Sequence, residues 1–533
     1  MTDNPSWHSR EYDLIIIGGG INGVAIARDA ALRGLTVLLL EKSDFGSGAS
    51  SKTSKLAHGG LRYLEQFNFS LVYEALHERE RLIQNAPHLV KPLPFIFPLY
   101  ATASRSALKI RLGIWMYNQL SGGKKYEKKS YLSKEEVLQF VPQIKAEGLK
   151  GAGYYYDAQM QDSRLVIENM LSAEKSGAIL HNHMEVTGLI KESGKVRGIK
   201  FKDLEQGTEG KIRAQVVVHT TGAWSNKILF EDDRRPRFTV QPSKGIHIVV
   251  SDIGLKHALI LSDPQHSIRV FFVIPWFGKT LIGTTDTEYT GDPDTVHVDQ
   301  ADVDCLLKAF NTYFPGHPLS SGNIISTFAG LRPLYQHGRK QASAASREHE
   351  IYTSDSGLIT LLGGKFTTYR KIAEEVVNQV VKQWTGKKKF KRSMTAILPL
   401  YGGHPSLQDR PLHEWNSILL RYELNQLQIQ HLVRGYGSAC FSVLDTLAET
   451  PQGNQPLCHL HPHLVGELIY SAKVEKTKHL KDWFYRRTTI AWSECGGRQC
   501  AEKSARILGF YLKWTPRRVA EEISDYLTSL EKG

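Results

Sequence analysis

Three glycines near the start of the chain have the spacing of a nucleotide-binding turn. Gly18, Gly20 and Gly23 form the pattern G-x-G-x-x-G, and the acidic residue Glu41 follows further along. The first glycine permits a tight turn, the second lets a pyrophosphate approach the backbone, and the third lets a helix pack against a strand. The carboxylate of Glu41 can accept both hydroxyls of a ribose and disfavours a 2′-phosphate. These residues predict a dinucleotide site, but they do not separate NAD from FAD.

The segments around these glycines have the pattern that such a site needs. Residues 12–17 are mostly β-branched or large, which is typical of a strand buried on both faces of a parallel sheet. We expect a helix over 22–33, closed by Gly34, and a second strand over 35–40 that ends at Glu41. The helix then directs its positive N-terminal end at the phosphates. Strand, glycines, helix, strand and acid together form a much more specific pattern than the glycines alone.

Later segments favour FAD over NAD. Residues 216–225 read VVVHTTGAWS, a buried strand that ends in small residues with Gly222, where a chain can pass under a cofactor. Residues 361–381 place a glycine pair, which includes Gly364, before an amphipathic helix. The N-terminus of that helix offers free N–H groups and a positive dipole, which suit the anionic N1 of a reduced flavin.

The motifs together resemble the respiratory, FAD-dependent glycerol-3-phosphate dehydrogenase family. Besides the glycine turn, the matching segments are SSKTSKLAHGGLRYLE (50–65), TTGAW, KGIHIVV (244–250), VFFVIPW (270–276), IGTTDTEY, AGLRPL (329–334) and GGKFTTYRK. They occur in the family's order over roughly residues 10–385, and a helical portion follows in a similar place. One departure is Ala49, where the family often has a hydroxyl residue.

The resemblance implies the site residues and their chemistry. The substrate would be glycerol 3-phosphate, whose dianion needs cationic partners and whose C2 hydroxyl needs a base. By resemblance, Arg62, Tyr63, Arg332 and Lys365 line the substrate pocket, with His247 beside them as the default base. The hydride would pass from C2 to flavin N5, giving dihydroxyacetone phosphate. Further candidates are Arg347 for phosphate and Ser54, Lys55 and Thr367 for FAD.

Several roles stay open at this stage. Arg332 or Lys365 could stabilise a developing alkoxide and make a strong base unnecessary. Arg347 is equally well explained as a residue at a sheet edge. His58 and Lys55 lie in a serine-rich loop, and they fit a flavin contact and a loop-stabilising role equally well. We interpret the GTTD segment as structural, with Asp286 capping a turn.

The overall organisation follows from length and pattern. A chain of 533 residues exceeds what one core normally supports. We predict an α/β Rossmann-like domain of glutathione-reductase type over 12–385, with its FAD-binding part drawn from about 12–70, 150–240 and 354–385. An antiparallel-sheet cap over the substrate would come from about 70–150 and 241–353. A linker over 386–403 and a helical domain over 404–533 complete the chain.

Charge and cysteine content bear on location and partners. The formal net charge of +13 favours anionic partners, and the polar N-terminus lacks the apolar core of a secretory signal. No run reaches the length of a membrane span, and five scattered cysteines without a C-x-x-C pair suggest free thiols, no metal and a cytoplasmic location.

One predicted amphipathic helix bears on where the electrons go. An apolar stripe lies in ALKIRLGIWMYNQL, flanked by basic residues: Leu108, Leu112, Trp115, Met116 and Leu120. Such a helix could be buried in the core or lie in an anionic membrane surface. The resemblance favours the membrane, and it implies peripheral attachment to the inner face of the cytoplasmic membrane and ubiquinone or menaquinone as acceptor.

Parts of the sequence are also compatible with other functions. A related oxidase could pass electrons to oxygen, or act on an amino acid or hydroxy acid. The lysine clusters raise nucleic-acid binding, but they lack interleaved aromatics, so no nucleic-acid partner is expected. A purely structural role would leave a complete cofactor site unused. The oligomeric state is open, a homodimer included.

Overall fold

The computed structural model describes residues 7–61, 68–101, 107–120, 129–264, 269–337, 349–384, 386–404 and 418–531. Its strands are β1 Tyr12–Ile17, β2 Val37–Leu40, β3 Leu56–Ala57, β4 Val90–Tyr100, β5 Tyr131–Ser133, β6 Leu149–Met160, β7 Ile179–His181, β8 Met184–Glu192, β9 Lys195–Asp203, β10 Glu209–His219, β11 Phe238–Val240, β12 Ser243–Ser251, β13 Ala258–Ser262, β14 Val270–Trp276, β15 Lys279–Gly283, β16 Thr287–Glu288, β17 Ile324–Arg332, β18 Tyr335–His337, β19 His349–Thr353, β20 Ile359–Gly363, β21 Pro456–Cys458 and β22 His461–Leu464.

The helices alternate with the strands in the first part of the chain and dominate after residue 420. They are α1 Ile21–Leu32, α2 Phe69–Asn85, α3 Ala107–Leu120, α4 Lys134–Phe140, α5 Asp162–Lys175, α6 Ser225–Asp232, α7 Gln300–Tyr313, α8 Tyr369–Lys382, α9 Gln426–Tyr436, α10 Cys440–Glu449, α11 Val465–Lys473, α12 Leu480–Asp482, α13 Arg498–Leu512 and α14 Pro516–Glu531.

The first sheet forms the nucleotide-binding layer. Its central order is β19-β20-β10-β1-β2-β7, and β1 runs parallel to both β2 and β10. Side chains of β1 and β2 are buried on both faces: one face packs against α1, α5 and α8, and the other against β8 and β9. This two-sided burial explains why these strands read as continuous apolar runs. The carboxyl ends of β1, β2 and β10 therefore meet at one edge.

The second sheet is mostly antiparallel and stands over that edge. Its order in the described residues is β16-β12-β15-β14-β13-β4-β6-β3, with β17 also paired to β12. Strand β12 lies between β15 and β17, so that His247 faces Gly283 on one side and Phe328 on the other. This sheet is the expected antiparallel cap.

The FAD-dependent oxidoreductase fold is confirmed, although segment boundaries differ from the expected ones. The short strand β3, within 12–70, pairs with β6 in the second sheet. Strand β6, within 150–240, belongs to the second sheet, where it pairs with β4. Strand β19, before residue 354, belongs to the first sheet, where it pairs with β20. Strands β6 and β19 are buried or half-buried segments with little period-two pattern. Their sheet membership depends on long-range pairing, which local sequence does not encode.

The C-terminal helices pack against the rest of the chain through buried charges. Arg487 forms an ion pair with Asp44, and both side chains are fully buried. Arg164 on α5 pairs with Glu475 at 2.7 Å. These contacts attach the helical portion to the loop that follows β2 and to α5.

Candidate active site

A cavity of about 1330 Å³ lies where the two sheets meet. Its wall includes the ends of β1, β2 and β10, the loop after β20 and the facing side of β12 and β17. The volume exceeds the range of about 300–1,000 Å³ typical of small-molecule sites, as expected for a dinucleotide together with a substrate.

The glycine turn forms a cradle with its open side toward this cavity. Gly18 has φ of +103°, a conformation that glycine adopts without strain. A Cβ atom on Gly23 would lie 1.9 Å from the carbonyl oxygen of Gly18, whereas one on Gly20 would meet only the Ser50 hydroxyl at 3.2 Å. Gly23 thus closes α1 onto the turn, while Gly18 and Gly20 line the cavity. The space beside Gly20 suits a pyrophosphate at the N-terminus of α1.

Glu41 ends β2 at the same edge. Its carboxylate accepts hydrogen bonds from the backbone N–H of Gly19 at 2.6 Å and of Ser43 at 2.8 Å. Burial raises the pKa of Glu41, and the two backbone hydrogen bonds oppose this shift. Each oxygen has capacity for a further donor, as a ribose would require.

The predicted flavin-side residues line the same cavity. Ser54, Gly222, Gly364 and Thr367 all line the cavity. The Thr367 hydroxyl accepts the backbone N–H of His58 at 3.1 Å, which ties the serine-rich loop to the segment before α8. Asn22 also lines the cavity, and its buried Oδ1 has no hydrogen-bond partner among the described residues. A donor from a ligand would satisfy this atom.

His247 is held rigidly in the cavity wall. Its Nε2 lies 2.9 Å from the Ser54 hydroxyl, and its ring stacks on Phe328 at a centroid distance of 4.8 Å. A Cβ atom on Gly283 would lie 2.4 Å from the ring, so glycine is required on the other side. Burial, followed by the charges of Arg332 and Lys55, lowers the pKa of His247 well below its usual value. The imidazole is therefore neutral near pH 7 and can accept a proton.

Arg332 ends β17 and reaches the cavity with a fixed orientation. It donates to the Thr284 hydroxyl at 2.8 Å and to the carbonyl oxygen of Thr285 at 3.1 Å, and it lies 3.4 Å from Asp286. About a third of its side chain stays exposed to the cavity side and solvent. The GTTD segment positions this guanidinium, and Asp286 accepts from the Ser243 hydroxyl.

Lys365 lies between the Gly363–Gly364 pair and the turn that leads into α8, and it lines the cavity with Arg332 and His247. Its charge lowers the pKa of His58, after the larger effect of burial and against the opposing charge of Asp157. His247, Arg332 and Lys365 thus line the same cavity, and Arg332 lies close enough to His247 for its charge to lower the pKa of the imidazole. Arg62, Tyr63 and Arg347 lie outside the described residues.

The structure places Lys55 differently from the sequence-based expectation. Its ammonium group donates to Asp162 at 2.9 Å and to the carbonyl oxygen of Ser51 at 2.6 Å, and it does not line the cavity. Only 3% of Lys55 is exposed, and its ammonium group is held in the ion pair with Asp162. The pairing partner lies far along the chain, which is why the sequence alone could not separate the two roles.

Two groups of cavity residues were missed by sequence reasoning. Lys52, in the same SSKTSK segment, lines the cavity, and burial, then the charges of Arg486 and Lys55, lowers its pKa to about 8. Asp157 also lines the wall and accepts hydrogen bonds from Tyr117 at 2.7 Å and Arg79 at 2.9 Å. The lysine could have been suspected from its motif, but the Asp157 network assembles from three separate elements.

The glycine cradle, the acid after β2, the second turn before α8 and the antiparallel cap define a dinucleotide-dependent flavoprotein oxidoreductase. The cavity residues fit FAD, since the open side of Gly20 and the unsatisfied Asn22 oxygen both call for a ligand there. Gly18, Gly20 and Glu41 would hold the adenosine diphosphate half. Gly222, Gly364 and Thr367 would face the flavin half.

Comparison with known proteins narrows this class. Residues 13–370 match the FAD dependent oxidoreductase family, and residues 393–519 match the C-terminal domain of alpha-glycerophosphate oxidase. The aerobic glycerol-3-phosphate dehydrogenase of Bacillus subtilis is 38% identical over 90% of this chain and 87% of its own length. Glycerol-3-phosphate dehydrogenase 2 of Mycobacterium tuberculosis is 35% identical over 98% of this chain and 88% of its own.

A solved structure is also similar to this chain. The glycerol-3-phosphate dehydrogenase of Bacillus halodurans, complexed with FAD, superposes with a TM-score of 0.83 at 30% identity, covering 99% of this chain and 96% of that one. The chain belongs to the FAD-dependent glycerol-3-phosphate dehydrogenase family. The resemblance read from the motifs is thereby confirmed, as is FAD as the family's cofactor.

Three residues of the apolar stripe of α3 are exposed on the outside of the molecule, whereas Met116 is half-buried and Leu120 packs against a buried cluster. Leu108 is 77% exposed, and Leu112 and Trp115 are each 55% exposed, while Ile110, Ile114 and Tyr117 form the buried inner face. The alternative that the stripe is buried in the core is therefore wrong for Leu108, Leu112 and Trp115. Among the described residues, no helix combines the length and apolarity needed to cross a membrane.

Proposed function

We propose that the protein oxidises sn-glycerol 3-phosphate to dihydroxyacetone phosphate and passes the electrons to a membrane quinone. The observation that carries this proposal is that a neutral histidine, His247, lines the same cavity as the cations Arg332 and Lys365. A secondary alcohol that bears a phosphate needs this combination of base and cations. Relatives named for this activity support the choice of substrate.

The residues divide the chemistry between them. Bound FAD would supply the two-electron acceptor for the hydride that leaves C2. His247 accepts the proton of the C2 hydroxyl, because its depressed pKa keeps it unprotonated at neutral pH. The imidazole of His247 stacks on Phe328 and contacts the Ser54 hydroxyl. These contacts fix the ring, so it does not have to reorient before it accepts the proton.

The cations bind and orient the phosphate end. Arg332 enters with its guanidinium already held by Thr284 and Thr285, and therefore loses little conformational entropy on binding an anion. Lys365 adds a second charge from a different segment. Lys52, with a pKa of about 8, is a further cavity cation for the substrate or the flavin.

The exposed stripe of α3 supports attachment to an anionic membrane surface. Leu108, Leu112 and Trp115 present a continuous apolar face beside the exposed Arg111. A helix of this kind lies in the headgroup region with its apolar side inward. In that position the protein meets a lipid-soluble quinone at the surface of the bilayer.

Anaerobic reduction of the bound flavin tests the reaction. Glycerol 3-phosphate should bleach the flavin spectrum of the holoenzyme in the absence of oxygen, and glycine, proline and unphosphorylated glycerol should not. Bleaching by an amino acid and not by glycerol 3-phosphate would overturn the proposed substrate.

The same reduced enzyme separates the acceptors. A quinone analogue should reoxidise it much faster than air-saturated buffer does. Rapid reoxidation by oxygen with stoichiometric peroxide would instead support the oxidase alternative. That alternative has one specific observation in its favour, the match of residues 393–519 to a domain of alpha-glycerophosphate oxidase.

Vesicle binding tests the membrane contact. The double variant Leu112→Asp/Trp115→Asp should lose cosedimentation with vesicles of anionic phospholipid while its anaerobic flavin reduction stays intact. Phe510→Asp serves as the control, because Phe510 is 92% exposed but lies on α13 in the C-terminal portion. Equal vesicle binding by the double variant and the wild type would contradict attachment through α3.

A further inference from the structure

Two imidazoles and one carboxylate converge in the C-terminal portion, and we call these three residues the His₂Glu cluster. His431 lies on α9, His463 on β22 and Glu467 in the first turn of α11. One nitrogen of each ring and one oxygen of the carboxylate all lie within 4.8 Å of one another. None of the three residues lines the active-site cavity, so the proposed oxidation does not use them. His431 and Glu467 are 36 positions apart in the chain, so no ligand spacing in the sequence marks the cluster.

Both imidazoles direct a nitrogen at the same carboxylate oxygen. His431 Nε2 lies 2.9 Å from Glu467 Oε2, and His463 Nδ1 lies 3.4 Å from it. The two rings are nearly perpendicular, with centroids 4.3 Å apart. Nitrogen and oxygen ligands of a tetrahedral zinc ion are about 3.3 Å apart, given bonds of about 2.0–2.1 Å. The two observed separations lie on either side of this value, so small side-chain rotations are enough to accommodate an ion.

The carboxylate of Glu467 is held in this orientation by two other donors. Its Oε1 accepts a hydrogen bond from the backbone N–H of Leu464 at 2.7 Å, and its Oε2 accepts one from the Tyr436 hydroxyl at 3.1 Å. Donors of this kind orient ligating carboxylates in metal sites. Glu467 is fully buried, and a buried carboxylate needs a positive partner. A protonated histidine supplies that charge to one oxygen, whereas a divalent cation supplies it while engaging both imidazoles.

Two other groups of histidines and carboxylates in the described residues are less suited to a cation. They are His183, Glu205 and His479, and Asp44, His183 and Asp482. Arginines already pair with both groups: Arg518 with Glu205, and Arg487 with Asp44. A guanidinium at these positions repels a metal ion. In the part of the chain that the structure describes, no lysine or arginine forms an ion pair with Glu467, whose charged partners are the two histidines.

We propose that His431, His463 and Glu467 bind one divalent transition-metal ion, and that this ion is Zn²⁺. Two imidazoles and one carboxylate are an established three-ligand set for zinc, with water in the fourth position. Imidazole ligands disfavour magnesium and calcium. The side chain of His431 is 18% exposed, which gives an ion a route from solvent. The bound ion would join α9 to β22 and to the start of α11.

Binding balances in protons and charge. A carboxylate oxygen only accepts hydrogen bonds, so the proton of each histidine–carboxylate hydrogen bond lies on the ring nitrogen that faces Glu467. On binding, that nitrogen must present its lone pair to the metal. Each imidazole then keeps one proton, on its other ring nitrogen, and any second proton leaves to solvent. Two neutral imidazoles, one carboxylate and one dication give the site a net charge of +1.

Metal content of the full-length holoenzyme tests this site independently of activity. After treatment with a chelator, loading with Zn²⁺ and desalting, about one zinc ion per chain should remain by elemental mass spectrometry. His431→Gln should lose this ion. His297→Gln is the matched control and should keep it, because His297 forms an exposed pair with Asp299 elsewhere in the chain. Zinc far below one ion per chain in the wild type would mean that the cluster is an ion pair only, and undiminished zinc in His431→Gln would equally overturn the proposal.

A conservative change at Tyr436 tests the support of the carboxylate. Tyr436→Phe keeps the buried ring but removes the hydroxyl that donates to Glu467. It should weaken Zn²⁺ binding by about 10–100-fold, the usual effect of losing an outer donor, in a competition titration with a chelator of known affinity. An unchanged affinity would contradict the assignment of Glu467 as a ligand.

A further measurement uses the wild-type chain, in case the variants fail to fold. Crystals of the holoenzyme soaked in Zn²⁺ should give one anomalous-scattering peak between the three ligand atoms, present above the zinc absorption edge and absent below it. A peak at another site with none at the His₂Glu cluster would overturn the proposal. Because none of these readouts involves glycerol 3-phosphate, failure of the proposed activity would leave them unaffected.

Discussion

At the scale of single residues, the proposed reaction depends on groups whose charge is set by their surroundings. Arg332 is charged and held by Thr284 and Thr285, whereas His247 is kept neutral by burial and by nearby cations. The sequence suggested both residues through their motifs. Their protonation states follow only from the packing around them.

Replacing Arg332 by alanine should raise KM for glycerol 3-phosphate and lower kcat as well. Phosphate binding positions C2, so losing the guanidinium misplaces the reacting carbon, and kcat/KM should fall about 100-fold or more. Steady-state kinetics with a quinone analogue measure this effect. Arg213→Ala is the matched control, because Arg213 forms an exposed ion pair with Glu192. Unchanged kinetics in Arg332→Ala would remove this residue from the site.

Replacing His247 by glutamine should lower kcat by about 10²–10⁴-fold, the usual contribution of a general base. Since the folded pKa of His247 lies below the ordinary value of about 6.5, the base stays unprotonated as the pH falls through 6.5. The ratio of wild-type to variant kcat/KM should therefore be flat across pH 6–8 and decline only at lower pH. Titration of the substrate phosphate cancels in this ratio. A ratio that halves near pH 6.5 would mean that His247 titrates as an exposed histidine.

At the scale of elements, the glycine turn shows how one motif serves two purposes. Gly23 is needed by the protein itself, because a Cβ atom there would overlap the Gly18 carbonyl oxygen. Gly20 is needed by the ligand, since a Cβ atom there would crowd only the Ser50 hydroxyl, at 3.2 Å, and its φ of −70° suits any residue.

The two glycines should therefore respond differently to alanine. Gly20→Ala should leave the melting temperature of the flavin-free protein nearly unchanged and weaken FAD binding. Gly23→Ala should lower that melting temperature, because α1 can no longer approach the turn. Thermal unfolding of the apoprotein and fluorescence titration with FAD measure the two effects. Equal loss of apoprotein stability in both variants would contradict this division.

The elements also show what the sequence could and could not predict. The strand–turn–helix unit of 12–41 was predictable, because its pattern is local and its glycines have fixed roles. Sheet membership of β6 and β19 was not, because it depends on partners distant in the chain. The same reason applies to Lys55, whose partner Asp162 lies on α5. The exposure of the α3 stripe could not be predicted either, because it depends on which face of the helix packs against the core.

At the scale of the whole molecule, the C-terminal portion supports the cofactor side of the cavity. Arg487 and Arg486 both bind Asp44, which lies in the loop directly after Glu41. This explains a role for the helical portion that was not legible from the sequence. The buried charges hold the loop after β2 against the C-terminal portion, whose described residues do not themselves line the cavity.

Arg487→Met should destabilise the protein by about 3–5 kcal/mol, because it leaves Asp44 with less compensation in a buried site. It should also weaken FAD binding, since Glu41 loses the support of the loop. Chemical denaturation and FAD titration measure the two effects. Arg517→Met, at a side chain that is 88% exposed, is the control. If the double variant Asp44→Leu/Arg487→Met is no more stable than Arg487→Met, an unpaired buried charge is not the cause.

Trp492 offers the most direct link between the C-terminal portion and the reacting centre. Its ring packs on Phe328 at 5.1 Å, and Phe328 stacks on His247 at 4.8 Å. Truncation to alanine opens a space behind Phe328, so the imidazole gains freedom to leave its orientation. We expect Trp492→Ala to lower kcat more than it raises KM, and to shift the pH dependence of kcat/KM toward that of a solvated histidine. Trp492→Phe should restore most of kcat and most of the wild-type pH dependence, because the phenyl ring refills the space. A loss of kcat with an unchanged pH profile would mean that the tryptophan acts on overall stability and not through His247.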